Sequence, residues 1–519
     1  MSSANGRQDL SALGVQDLSA LGIQALVDPG KTPTDEQVRV IEAPRRPLLV
    51  VAGAGSGKTE TMSMRVLWLV ANHEDIAPSS VLGLTFTRKA AGELGDRLRQ
   101  RLALLAGRVP PLRERLDEDP VSLTYNSFAE RIVSEHGMRI GIDPDFSMLS
   151  EAGAIDLMTQ IVEAWPTDLD EDLTPLGAVG QILHLAGEIA EHGYTVEEAR
   201  DALEGFGRDL EQIGATNDTA RKTLRANARR LAYLGPVEEF QRRKREGGLL
   251  DFSDQLVLAT RIVRGAPAVR AQVRDEFHAV LLDEFQDTSV IQMELLSLLF
   301  HDHAVTAVGD PNQAIYGWRG ASASSLERFL DRFQDGPAQP GQTLTLSTAW
   351  RNDRNVLRAA NRVAAPLREH SRAAKSPVLR ARPGAGEGRV DVAYTQDYRS
   401  ALGAVVDFMS AHRARGTREG KRPTTAVLCR RRSDFPYVDM ALREAGVPTQ
   451  IVGLGGLLDQ PSVQDARAAL VLADDVEASP WLARLLAGID LGAADLVALG
   501  DWARHLAREE GRDPHRAVL

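Results

Sequence analysis

Leu48-Leu49-Val50-Val51-Ala52-Gly53-Ala54-Gly55-Ser56-Gly57-Lys58-Thr59 decides the fold of this 519-residue chain. Four consecutive apolar residues suit a strand buried on both faces, and helical spacing follows Thr59, so the stretch is a strand, a loop and a helix. The loop has its own chemistry. Gly53, Gly55 and Gly57 let successive backbone N–H groups turn inward with no Cβ in the way, at a helix N-terminus that favours negative charge. Ala52, Ala54 and Ser56 complete a polyphosphate cradle, with Lys58 placed to reach the β- and γ-phosphates and the Thr59 hydroxyl to meet Mg²⁺. ATP and Mg²⁺ are the expected cofactors.

Further apolar runs at 81–85, 280–282, 305–308, 343–346, 390–393 and 426–429 alternate with helical stretches. That pattern is the mark of α/β domains with parallel sheets and helices on both faces. The interval 131–248 is long, charged and poor in β-branched residues, and reads as an all-helical insertion. Pro- and Gly-bearing joints follow at 334–341, 382–388 and 414–423, the first being the best hinge between two sheets. Residues 8–14 and 16–22 both read QDLSALG. Two such short copies cannot bury a core, so residues 1–31 are expected to be a flexible tail.

Lys+Arg 61 against Asp+Glu 72 gives a net charge of −11, which excludes bulk attraction to nucleic acid and requires any polyanion site to be local. No apolar tract is long enough for a bilayer, the start lacks the features of a secretory signal, and a single cysteine excludes a disulfide framework. A cytoplasmic protein without membrane partners is expected, with Cys429 a buried strand residue.

Two segments bring chemistry to strand ends. Val280-Leu281-Leu282 leads into Asp283-Glu284-Phe285-Gln286-Asp287-Thr288, where Asp283 suits Mg²⁺ and Glu284 suits the proton of an attacking water. Such acidic pairs also merely cap helices, and the phosphate loop upstream favours the catalytic reading. In Gly309-Asp310-Pro311-Asn312-Gln313-Ala314-Ile315-Tyr316-Gly317-Trp318-Arg319-Gly320-Ala321, Gln313 is placed to sense the γ-phosphate. Tyr316 and Trp318 offer flat faces for nucleobases with Arg319 near a phosphate, the alternative being that the aromatics are core. Arg242-Arg243-Lys244-Arg245 reads first as a solvated face and second as a track for DNA phosphates.

In this order the segments resemble the UvrD/PcrA-type superfamily 1 DNA helicases. Thr34-Asp35-Glu36-Gln37 is similar to the family's adenine-reading motif, with Gln37 as reader. Thr85-Phe86-Thr87-Arg88-Lys89-Ala90-Ala91 and Thr124-Tyr125-Asn126-Ser127-Phe128 resemble its DNA-contacting motifs, which implies DNA contact for Phe86 and Tyr125. Arg88 and Asn126 depart from the usual Asn and His, and Glu60 stands where an adenine-side Arg is common. Ser347-Thr348-Ala349-Trp350-Arg351-Asn352 looks like the motif that supplies an arginine finger, here Arg351, with Trp350 replacing the tyrosine that packs on adenine. The wording VVAGAGSGKTETM and AVGDPNQAIYGWRGASA is similar to the AdnB-type subunit of helicase–nuclease complexes.

The resemblance implies RecA-like domains: 32–130 with 249–335 as the first, 131–248 as its helical insertion, 336–457 as the first part of the second, and 458–519 as the start of another helical insertion. It implies an ATP-dependent, 3′ to 5′ helicase or translocase acting on single-stranded and tailed duplex DNA in repair or recombination, with a second helicase–nuclease subunit as partner. The alternative is a nucleotide-switched DNA-binding or regulatory subunit. The last lysine is Lys421 and the last threonine Thr449, so the family's later T-x-H-x-x-K-G motif has no place after them. A C-terminally truncated motor is therefore expected, able to bind Mg-ATP and unable to unwind.

Overall fold

The computed structural model describes residues 18–143, 145–167, 169, 175–214, 217–317, 325–334, 341–370, 375–415, 424–452, 461–474, 479–488 and 491–509. They fall into two units, Met1–Val390 and Asp391–Leu519. In chain order the first contains α1 (Ala20–Val27), α2 (Asp35–Ile41), β1 (Leu48–Ala52), α3 (Lys58–Asn72), β2 (Val81–Thr85), α4 (Arg88–Arg108), β3 (Val121–Thr124), α5 (Tyr125–His136) and β4 (Ser147–Met148). Next come α6 (Glu151–Glu163), α7 (Pro175–Glu191), α8 (Val196–Ile213), α9 (Asp218–Glu246), β5 (Leu249–Leu250), α10 (Phe252–Gly265), α11 (Pro267–Glu276), β6 (Ala279–Leu282) and α12 (Val290–Phe300). It closes with β7 (Val305–Gly309), α13 (Ser325–Phe333), β8 (Gln342–Leu346), β9 (Thr348–Ala349), α14 (Arg354–His370) and β10 (Arg380–Ala381).

Six strands form one sheet in the order β3-β2-β6-β7-β1-β8, every pair parallel. β1 and β6 are unbroken apolar runs because both faces are covered, whereas Thr306 interrupts β7 and β3 and β8 alternate apolar with polar residues. Side chains alternate across the pleat: Leu49, Val51, Leu82, Leu84, Val280 and Leu282 enter one core with Phe128, Leu296 and Phe329, while Leu48, Val50, Val81, Ala279 and Leu281 enter another with Met62, Val66 and Leu98. This is the α/β, RecA-like arrangement expected. Val50 of β1 lies opposite Val308 and Leu344. The ends of β1, β6 and β7 therefore stand side by side, where open parallel sheets bind ligands. The helices α6 to α9 have a separate core of Met158, Ile161, Ile182, Tyr233, Val237 and Phe240.

The structure corrects four expectations. The tail does not extend to residue 31: α1 docks through Ala20 and Ile23, both fully buried, and Val27. Asn72 ties it down by accepting from the Leu18 N–H and donating to the Leu18 carbonyl, while the Ala20 N–H donates to Glu42. One helix with an i, i+3, i+7 apolar stripe needs no core of its own when one is present to receive it. Second, residues 342–346 do not begin another sheet; they pair with β1 as the sixth strand of the first. Third, 390–393 and 426–429 form no strands, for a strand needs lateral backbone partners and neither run has one among the described residues. Val392 and Leu428 are exposed. Fourth, Cys429 is consequently half-buried and outside any strand.

In the second unit, α15 (Tyr398–Arg415) packs with α16 (Phe435–Glu444) around Met409, Leu442 and Val447. It continues with α17 (Pro461–Asp474), α18 (Ser479–Ala487) and α19 (Ala493–Glu509). No helix among the described residues is long and apolar enough to cross a membrane.

Candidate nucleotide site and nucleic-acid interface

The loop from Ala52 to Thr59 leaves the end of β1 and becomes the first turn of α3. Gly55 and Gly57 take φ of 74° and 82°, a left-handed backbone that side chains disfavour. A Cβ on Gly55 would stand 3.0 Å from the Arg351 Cβ, and one on Gly57 3.0 Å from the Gln37 amide nitrogen. Other residues crowd this loop closely. The Ser56 hydroxyl is buried without a partner. Such an orphan in a cradle of backbone amides suits a polyphosphate oxygen. Ala54 is exposed at the loop tip, Gly53 packs against Leu379, and Thr59 is half-buried.

Lys58 and Glu284 meet across the sheet, Nζ to Oε2 at 2.8 Å. Glu284, two residues beyond the end of β6, has φ 49°, a conformation rare for a non-glycine residue. Gln286 donates to the same Oε2 at 2.9 Å, and its own carbonyl accepts from the Asp310 N–H at 3.0 Å. Asp310 in turn accepts from the Gln313 side chain at 2.7 Å. A single hydrogen-bonded run therefore joins Lys58, Glu284, Gln286, Asp310 and Gln313. Burial pushes the Glu284 carboxyl up, but Lys58 and the Gln286 bond outweigh it and hold it below the usual range. At Asp283 the balance is reversed: burial and the adjacent Glu284 outweigh the pull of Lys58 and the Glu284 N–H, and raise the carboxyl to about 6. A buried, unneutralised carboxylate suits a cation. Among the described residues no cluster of three His, Cys, Asp or Glu could hold a metal alone. Mg²⁺ there would rest on Asp283, Thr59 and phosphate oxygens, which is how that ion is commonly held.

On the other side of the loop lies a cavity of about 460 Å³ lined in part by Pro33, Gln37, Ile41, Gly57, Met64 and Trp350. Thr34 and Gln37 form a capping box at the start of α2. The Gln37 carbonyl accepts from the Thr34 N–H at 3.0 Å and its amide donates to Thr61 at 3.1 Å. One N–H and one lone pair of that amide remain for a ligand. Glu36 accepts from both the N–H and the hydroxyl of Ser347 at 2.7 Å, and the Trp350 N–H donates to the Gly55 carbonyl at 2.8 Å. Trp350 is thereby fixed at the cavity wall, with Arg351 exposed beside it. Glu60 also lines the cavity, its two oxygens each 2.6 Å from a guanidinium nitrogen of Arg101, so α4 supplies an arginine where α3 carries a carboxylate.

The aromatic residues form a second cluster. Phe86, after β2, stacks on Tyr316 with centroids 5.4 Å apart and planes at 5°, and meets Tyr125 edge-on at 5.5 Å. Both stacked rings are half-buried. Tyr125 corrects an expectation: it is buried, its hydroxyl donating to the Asp283 carbonyl at 3.0 Å, and it supports Phe86 from the core rather than facing a strand of DNA. Asp287 accepts from the Ile315 N–H at 3.0 Å and so holds the approach to Tyr316. Trp318 and Arg319 lie outside the described residues. The basic run in α9 is internally satisfied: Arg242 pairs with Glu239 and Glu246, and Lys244 is buried against Asp251 and Asp254.

The sequence reading missed Gln286, Glu36 and Arg101 as parts of the site. Gln286 had a signal, a polar residue two positions after the acidic pair that follows a buried strand. The others had none, since their partners are remote in sequence.

The chain is similar to known proteins. DNA helicase II of Escherichia coli (strain K12) is 31% identical over 329 residues, 63% of this chain and 39% of that protein. The ATP-dependent DNA helicase PcrA of Staphylococcus epidermidis is 26% identical over 438 residues, 84% of this chain and 53% of its own length. UvrD2 of Mycobacterium tuberculosis is 28% identical over 443 residues, 84% of this chain and 57% of the relative. The chain thus spans about two fifths to three fifths of these relatives' lengths. The family model for the UvrD/REP helicase N-terminal domain matches residues 33–334, more than half of the chain and the whole of the sheet's first five strands, and the chain belongs to that family.

Proposed function

We propose that this chain is an ATP-hydrolysing DNA helicase or translocase of 3′ to 5′ polarity, acting in the cytoplasm on single-stranded and tailed duplex DNA in repair or recombination. The observation that carries the proposal is the linkage of the two clusters: the Lys58-to-Gln313 run and the Tyr125–Phe86–Tyr316 rings share the turn after β6. In this reading the loop from Ala52 to Thr59 binds the phosphates, Gln37 and Trp350 hold adenine, and Arg351 neutralises charge at the γ-phosphate. Bound Mg²⁺, on Thr59 and Asp283, would neutralise the phosphate charge. As Lys58 moves from Glu284 to a phosphate, the Glu284 carboxylate is released to accept the proton of the attacking water, and Gln286 passes the change to Asp310 and Gln313. Phe86 and Tyr316 take DNA bases, with Trp318 and Arg319 extending the platform. The AdnB-like wording supports a helicase–nuclease complex with a second subunit.

The test is ATP turnover by this chain with and without single-stranded DNA. DNA should stimulate turnover, Lys58→Ala should abolish nucleotide binding, and Glu284→Gln should bind ATP without hydrolysing it. Turnover by Glu284→Gln near that of the parent removes Glu284 from its role. Nucleotide-dependent DNA binding without turnover would instead mark a nucleotide-switched subunit.

A further inference from the structure

Arg65 is a buried cation that the phosphate chemistry does not use. It lies on α3 one turn beyond Thr61 and is 1% exposed. Among the described residues no carboxylate pairs with it. Its Nε donates to the Thr306 hydroxyl of β7 at 2.9 Å. Nη1 faces the carbonyls of Val40, Ile41 and Ala43 at 2.9, 3.1 and 2.8 Å, and Nη2 that of Pro44 at 3.1 Å. These oxygens are the C-terminal end of α2 and the turn after it, groups that a helix leaves without internal partners and that carry its negative dipole end. A planar fork of five donors can satisfy them together; a lysine ammonium has neither the span nor the number.

Gln37 meets Thr61 and Ile41 meets Arg65, pairs that are each 24 residues apart in sequence. Both rungs are four residues apart on each helix, so α2 and α3 run in the same direction, in step, with one rung at the cavity and the other in the core. Sliding or turning α2 breaks both. The contact with Thr306 adds the strand whose end leads to Asp310 and Gln313.

We infer that Arg65 is a positioning residue for nucleobase selection: it clamps the end of α2 to the phosphate-loop helix and to β7, and so fixes where the Gln37 amide stands relative to the bound phosphates. The inference rests on the reading of Gln37 as the base reader. The remaining N–H and lone pair of that amide complement the N7 acceptor and 6-amino donor of adenine, whereas guanine presents two acceptors there. This discrimination depends on the amide's position as well as its presence. Phosphate binding by the loop does not depend on it.

The experiment measures binding of Mg-ATP, Mg-GTP and inorganic tripolyphosphate to the 519-residue chain by competition against a fluorescent ATP analogue. Arg65→Lys, which keeps the charge and loses the fork, should cut the ATP-to-GTP affinity ratio about tenfold, the scale of one bidentate base contact, and leave tripolyphosphate binding unchanged. Thr306→Val, which removes only the Nε acceptor, should cut it about threefold, and Thr306→Ser should restore it. Gln37→Ala is the control for the underlying reading. If it leaves the ratio at the parent value, the assignment of Gln37 fails. If Gln37→Ala collapses the ratio while Arg65→Lys and Thr306→Val keep it, the inference about Arg65 is overturned. Equal loss of all three ligands in Arg65→Lys also overturns it, for that is the signature of a brace alone. Should Arg65→Lys lose its cooperative melt, Thr306→Val decides: a parent-like ratio there refutes the inference.

Discussion

Glu284 is the residue on which the site turns. Its left-handed backbone directs the carboxylate back toward Lys58, and a non-glycine residue in that conformation at a strand end is strain held in place by its surroundings, here the Lys58 and Gln286 bonds. Trp350 occupies the other wall, anchored through its backbone to Gly55 and indirectly to α2 through Ser347 and Glu36. Trp350→Ala should therefore weaken ATP binding by about 3- to 10-fold, the scale of an aromatic contact, while the melting temperature stays near that of the parent, because the residue lines an open cavity with 39% of its surface exposed and belongs to no core. Isothermal titration checks the first and thermal denaturation the second; unchanged affinity would remove the ring from the nucleotide site. At this scale Lys58, Asp283 and Glu284 were legible because phosphate chemistry dictates their types and their places at strand ends. Glu36 was not. Its partner Ser347 lies 311 residues away, and only the fold brings them together.

Helix α1 and the junction of α9 with α10 show what periodicity and charge runs leave out. The QDLSALG copies near the N-terminus are too short to form a core of their own, and Ile23 instead inserts into the core already built by α3 and α4. Ile23→Ala should destabilise the first unit by about 3 kcal/mol, the usual range for emptying a buried aliphatic site, seen as a lower urea midpoint with unchanged slope. A midpoint within error of the parent would return α1 to the status of a tail. In the basic run of α9 the alternatives were solvent or DNA, and neither describes Lys244, whose Nζ lies 2.6 and 2.7 Å from Asp251 and Asp254. Burial pushes the Lys244 ammonium toward neutrality, but Asp254 and Asp251 more than reverse this. Lys244→Met takes the ammonium from two half-buried carboxylates at the cap of α10, which keep only their backbone hydrogen bonds, and should cost about 3 kcal/mol at neutral pH. Burial and Asp251 hold the Asp254 carboxyl above its ordinary range against the pull of Lys244, and without the ammonium it titrates higher still, so the folded variant gains that proton before the unfolded chain does and recovers stability as pH falls. The deficit should shrink between pH 7 and pH 4 in urea titrations, and a constant deficit would point to lost packing alone.

For the whole molecule, the charge arithmetic and the sheet lead to one expectation about DNA. The sheet was legible because its central strands are predominantly apolar runs, whereas β3 was missed, being four residues long with Ser122 and Thr124 alternating with Val121 and Leu123. The runs at 390–393 and 426–429 form no strand among the described residues for a related reason, since an apolar run predicts burial and only neighbours make it a strand. With a net charge of −11, the protein offers no general attraction to a polyanion, so the proposed function requires a local site for single-stranded DNA. In the proposed function that site is Phe86 on Tyr316, braced by Tyr125 and through it by the carbonyl of Asp283. Stacking on a base contributes about 1–3 kcal/mol and releases no counterions, while each neutralised phosphate of a single strand adds about 0.7 to the slope of log affinity against log salt. Phe86→Ala should therefore weaken single-stranded DNA binding by about 1–3 kcal/mol at every salt concentration and leave that slope unchanged. Fluorescence anisotropy with an oligothymidine over roughly 50 to 300 mM salt separates the terms: a parallel displacement supports stacking at Phe86. A flattened slope with little loss at low salt would show that the interface is ionic and lies elsewhere on the molecule.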